Sequence, residues 1–425
     1  MMNKKLAATL LFPLFLAACG GGGGDDDDEQ TPPPETPTTP ENPPPPVDAV
    51  TQASLDTAAR LGLAPIAGNA GNVRVYDVVA DIGDTWRLTL DMGTGAYGLK
   101  VLHTVYGLTD TSGTFTQSTN GSFITLTGAS GAFTLLIDER TRTIAGAMAL
   151  GGKTATVSGT SYTVPADVSV LAGTYSMLIA AHNIPPEPQP GEEPEETYHQ
   201  LLPGAVMLRA DGSAVICPES YSVNAEGLCT TPFDDDTYPG LTGKLAIDAA
   251  DGEYHLRAKY EDEEEAIDFG ILRVQAGDFG PVLTLDLAAA SGVFGDDSAG
   301  VAYLVTQRTL AGTELDGSWT CSQKGELAGT ASISATNLVF TDTASVQQTG
   351  TLYYDQIYNS EEENVPFKAL VSLVTTPAAD PNDEEAEAPE PRLSGVLLPM
   401  SSSVMLLSRF NRESSDLPAG ICHRN

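Results

Sequence analysis

Positive charge is scarce in this chain. Its 425 residues include 21 Lys and Arg against 57 Asp and Glu, a formal charge of −36. A phosphate backbone is gripped by clustered Lys and Arg, so no nucleic-acid partner is expected. Long apolar runs are missing as well. No stretch approaches the ~18 apolar residues of a membrane-spanning helix, which disfavours a polytopic helical membrane protein. Only five histidines occur: His103, His182, His199, His255 and His423. They form no His-Glu-x-x-His and no other close metal-ligand spacing, and no Gly-x-Ser-x-Gly elbow is present. No metal, cofactor or catalytic residue is therefore expected, and the chain reads as a non-enzyme.

Two partial patterns fall short. Residues 146–154, Gly-Ala-Met-Ala-Leu-Gly-Gly-Lys-Thr, approach a phosphate-binding loop. The Gly-Lys-Thr stands one residue too far from Gly146 and the flanks read as a β-hairpin, so no nucleotide is expected. Asp234-Asp235-Asp236-Thr237-Tyr238-Pro239-Gly240 lacks the alternation and terminal Glu of a calcium loop. His103 lies in the apolar stretch 99–106 and reads as a half-buried strand residue. His182 and His199 read as solvent-facing.

Glycine and proline are plentiful, at 42 and 29 residues, and 41% of the chain is hydrophobic. That combination fits a turn-rich fold with a real core. At ~150 residues per domain the length suggests two or three domains. The N-terminus reads as an address. A basic start (Asn3, Lys4, Lys5) precedes a short apolar region, residues 6–15, broken by Pro13. Leu16-Ala17-Ala18-Cys19 follows, completing a secretory signal over residues 1–18.

That tetrapeptide resembles the lipobox of bacterial lipoproteins. The resemblance implies cleavage before Cys19, acylation of its thiol and new amine with palmitate-class chains, and attachment to a membrane. Gly20 in place of Asp implies sorting to the outer membrane, with the body at the cell surface or facing the periplasm. More than one acyl chain is what makes such an anchor stable. Residues 19–50 read as a disordered tether of Gly20 to Gly24, five acids at 25–29, and nine prolines within 31–47. The Pro-rich part alone reaches roughly 50 Å at about 3.1 Å per residue. Its glycine run is similar to those of surface lipoproteins such as transferrin-binding protein B and the neisserial heparin-binding antigen.

The body is expected to be all-β, with antiparallel sheets in two or three sandwich- or barrel-like modules. One short helix is expected at 50–62, where Leu55, Ala58 and Leu61 fall at helical spacing. Beyond it, Trp86, Leu88 and Leu90 alternate with polar residues, and Asn120-Gly121, Asp211-Gly212 and Asp251-Gly252 separate candidate strands as hairpin turns. The modules are placed at 51–165, 166–310 and 311–425. The last two rest on a likeness between Leu171-Ala172-Gly173-Thr174-Tyr175-Ser176 and Leu315-Asp316-Gly317-Ser318-Trp319-Thr320. Gly317-Ser318-Trp319 is also similar to the opening of lipocalin-type barrels.

Four cysteines remain besides Cys19, an even number in an exported chain, so disulfides are expected. Of three possible pairings we expect Cys217–Cys229, closing a short loop, and Cys321–Cys422, fastening the chain end near Trp319. The acids cluster at 185–197, 234–236, 261–265, 361–363 and 377–391. Loops on a rigid scaffold commonly carry function. The expected role is therefore non-enzymatic binding or adhesion by a lipid-anchored envelope protein, with acidic loops 185–197 and 377–391 contacting a basic protein partner. The alternatives are a periplasm-facing structural or accessory outer-membrane lipoprotein, and a carrier of a small apolar ligand.

Overall fold

The computed structural model describes residues 47–184, 199–218, 222–230, 237–259, 266–287, 298–358, 364–376, 390–409 and 419–425. Cys19, the lipobox and the tether up to residue 46 lie outside the described residues. So do the acidic runs 185–197, 234–236, 261–265 and 361–363, and all of 377–391 except its last two residues.

The chain enters through a helix, Ala49–Leu61. Asp48 caps it by accepting from the Val50 and Thr51 N–H groups at 3.1 Å each. Gly62 ends it in the left-handed region, φ 63°, where glycine carries no Cβ penalty. The buried face holds Ser54, Thr57, Ala58 and Leu61, and the Ser54 hydroxyl donates to the Ala276 carbonyl at 2.6 Å.

Three closed eight-stranded antiparallel barrels follow, so the body is all-β as expected. They span residues 73–160, 173–306 and 317–424. In each, every strand pairs with its barrel's next strand along the chain, and the eighth closes on the first. The expected hairpin turns are present: Gly121, Gly212 and Gly252 all have positive φ between paired strands. Residues 146–154 also form a hairpin, joining strands Thr143–Leu150 and Lys153–Thr160. Between strands Ser213–Cys217 and Leu241–Ile247 the second barrel carries an excursion with its own small sheet, Ser222–Val223, Cys229–Thr230 and Thr237–Tyr238.

Both expected disulfides are formed. Cys217–Cys229 ties the small sheet to the second barrel. Cys321 and Cys422 face each other across the first and last strands of the third barrel, so their bond locks the closing seam. By loop-closure entropy, bridges of these spans stabilise by about 3 and about 4.7 kcal/mol.

Side chains fill each barrel. Trp86, Leu88, Leu126 and Ile137 pack in the first, Met177, Ile179, Leu272 and Leu285 in the second, and Trp319, Ile333, Phe340 and Leu407 in the third. A fourth cluster lies between the barrels. Strand Gly173–Asn183 is buried at seven consecutive positions, 175–181. Tyr175, Met177, Ile179 and Ala181 fill their own barrel, while Leu178 and Ala180 join Val79 and Ala145 of the first barrel and Phe367, Leu398 and Leu406 of the third. A strand buried on both faces loses the polar alternation of a half-exposed one. Strand Glu326–Ser334, which faces solvent, keeps it.

Polar ties reinforce these interfaces. Arg87 clamps Asp77 with two bonds of 2.7 and 2.8 Å, and Arg273 of the second barrel approaches the same carboxylate at 3.9 Å. Asp278 accepts from the Ser402 N–H at 3.0 Å, joining the second barrel to the third. Gly83 shows how closely the backbones approach: its φ is 79°, and a Cβ there would stand 2.7 Å from the Ala299 Cβ.

Candidate functional site

Up-and-down connectivity puts successive turns at alternate barrel ends, and the contacts align the ends of all three barrels. At one end, Gly83 meets Ala299, the Tyr106 hydroxyl meets His182 at 3.0 Å, and the Gly325 N–H donates to Thr156 Oγ1 at 3.1 Å. We call this the loop end. The chain's departures toward the acidic runs 185–197, 234–236, 261–265 and 377–391 all occur here; only 361–363 departs at the opposite, turn end. Val47 and the entry helix belong to the turn end, where Asp48 lies within electrostatic reach of Arg140 and Ser54 reaches Ala276.

A pocket of about 610 Å³ opens where the three loop ends meet. The first barrel supplies Asp81, Ile82, Tyr106 and Lys153 from three separate connections. The second supplies His182, His199 and Leu201, and the third Lys324 and Ala419. His182 and His199 are directly opposed on paired strands, with ring centroids 5.8 Å apart. The Lys153 ammonium sits 4.2 Å from the Tyr106 ring centroid.

Burial sets the protonation of this site. It lowers His182 to about 4, helped by His199 and Lys153, and lowers His199 to about 4, helped by Lys324. Both imidazoles are therefore neutral at pH 7. Burial pushes the Asp81 carboxyl up to about 7, against the hydrogen bond it accepts from the Thr156 N–H at 2.9 Å. The Tyr106 phenol is raised by burial and then by Asp84 and Asp81, so it stays protonated.

The two histidines thus line a pocket and are half-buried, where the sequence suggested solvent exposure. The reason is the neighbouring barrels: Tyr106 of the first reaches His182, and Lys324 of the third lies near His199. His103 does lie half-buried in its strand, 3.4 Å from the buried Asp286. His255 sits between Asp268 and Asp251, and these partners outweigh its burial and raise its pKa. Among the described residues no group of three His, Cys, Asp or Glu side chains is placed to hold a metal ion. Tyr106 and Lys324 had no signal in the sequence, and Lys153 stood out only as part of the rejected phosphate-loop pattern, because each comes from a different turn and only barrel closure and the packing of barrels unite them.

Compared with protein-family models, curated proteins and solved structures, the chain shows no match in any of the three.

Proposed function

We propose that this protein is a lipid-anchored outer-membrane binder without catalytic activity. Cys19 carries the lipid, the tether joins the body at its turn end, and the loop end faces outward to capture a basic protein partner. The observation that supports this reading is the polarity of the body. Entry is at one end, and the strand termini flanking four of the five acidic runs are at the other. A net charge of −36, with so many acids between strands, creates a field that steers a cationic surface toward that end. Filled barrels favour recognition on the outside of the body over carriage of an apolar ligand in a lumen. The three-barrel body with its two disulfides suits a scaffold that must stay rigid outside the cytoplasm.

The test is deletion of residues 185–197 and 377–391 together. Capture of a basic partner by intact protein should weaken as salt rises, and the double deletion should abolish both capture and its salt dependence. Unchanged capture by the deleted form would refute the reading.

A further inference from the structure

We propose that the three-barrel junction pocket is a binding site for a small organic carboxylate, whose charge pairs with Lys153 and Lys324 and whose apolar body lies against Ile82, Leu201 and Ala419. This goes beyond capture of a basic partner, since the pocket selects the opposite charge.

Four observations converge on it. The cavity, about 610 Å³, falls in the range of small-ligand sites, and it lies at a junction of barrels, as such sites often do. Its charge runs against that of the whole protein. Among the described residues two ammonium groups line it, opposed by one carboxyl, that of Asp81, which burial pushes up to about 7 and which already accepts from Thr156. Among the described residues neither Lys153 nor Lys324 has a carboxylate at ion-pair distance, and the Lys153 ammonium instead lies over the Tyr106 ring. Finally, the Tyr106 hydroxyl and the two imidazoles provide hydrogen-bonding groups beside the ammonium pair, while Ile82, Ala180, Ala181, Leu201 and Ala419 provide apolar wall. A divalent cation would meet the repulsion of both lysines, and among the described residues His182, His199 and Asp81 are not placed as a group to hold one, so the lining favours an anion.

The probe is 4-(trifluoromethyl)benzoate, followed by fluorine NMR with the full-length lipoprotein in detergent. The neutral comparator is 4-(trifluoromethyl)benzyl alcohol. The carboxylate should bind saturably at one site, and the alcohol should bind at least about tenfold more weakly. Lys153→Gln with Lys324→Asn should weaken carboxylate binding about tenfold and leave the melting temperature unchanged. Asn is chosen because Lys324 has φ 53°, a left-handed conformation that Asn tolerates. Equal binding of acid and alcohol, unchanged affinity in the double variant, loss of binding with EDTA, or no saturation at millimolar carboxylate would each overturn the proposal.

Discussion

Tyr175 and Trp319 hold equivalent places in successive barrels. Each is the third residue of its barrel's first strand, and each side chain donates to the carbonyl of the leucine four residues earlier. The Tyr175 hydroxyl meets Leu171 at 2.7 Å and the Trp319 indole meets Leu315 at 2.8 Å. The bond pins the incoming chain across the barrel mouth while the ring fills the interior. Tyr175→Phe keeps the ring and orphans a carbonyl, so it should cost about 1–3 kcal/mol in denaturant unfolding. Trp319→Phe also opens a cavity and should cost about 2–4 kcal/mol. The ranking of the two, measured by urea titration, checks the assignment.

The seam disulfide gives a second expectation. Because Cys321 and Cys422 join the first and last strands of one barrel, replacing both with Ser should lower stability by about 2–5 kcal/mol. The Cys217–Cys229 pair closes a span of only 12 residues and should matter less. Non-reducing peptide mapping checks the pairings directly, and four free thiols would contradict them.

Asp81 provides a pH dependence whose sign follows from its environment. Burial raises its folded-state pKa from 3.8 to about 7, so the native state binds more protons than the unfolded chain between those values. The group therefore weakens the fold progressively as pH rises from 3.8 to 7, and the full penalty persists above 7. Asp81→Asn keeps an acceptor for the Thr156 N–H and removes the charge. It should raise the melting temperature at pH 8 and give little gain at pH 4. His182, His199 and His423 act in the opposite sense. Burial, the main cause for all three, lowers each to about 4, so stability on their account is lost as pH falls from 6.5 toward 4.

Gly325 tests the contact between the first and third barrels. Its φ is 71°, and a Cβ would come within 2.5 Å of the Ala155 backbone nitrogen. Gly325→Ala should cost about 1–3 kcal/mol from backbone strain alone, with the clash added to it. Hydrogen exchange should quicken first in strand Lys153–Thr160, where the added Cβ meets Thr154 and Ala155.

Much of the fold was legible because antiparallel barrels are local objects. Each hairpin announces itself by a turn such as Asn120-Gly121, and the likeness between residues 171–176 and 315–320 reflects the same aromatic-to-carbonyl bond at two barrel openings. Cysteine pairing was legible for a similar reason: four thiols besides Cys19 leave only three pairings. The shared core was not. Leu178 and Ala180 look like any buried strand residues, and nothing in their spacing says that a second and third barrel cover them. The pocket was hidden for the same cause. Tyr106, Lys153, His182 and Lys324 are brought together by packing between barrels, which no local pattern encodes.

The most direct test of the central claim is shaving of intact cells with proteinase K, with a periplasmic protein followed as control. A lipid-anchored binder that presents its loop end outward predicts loss of the full-length species while the control survives. Protection of the full-length protein until the outer membrane is broken would contradict the outward-facing account and place the body in the periplasm.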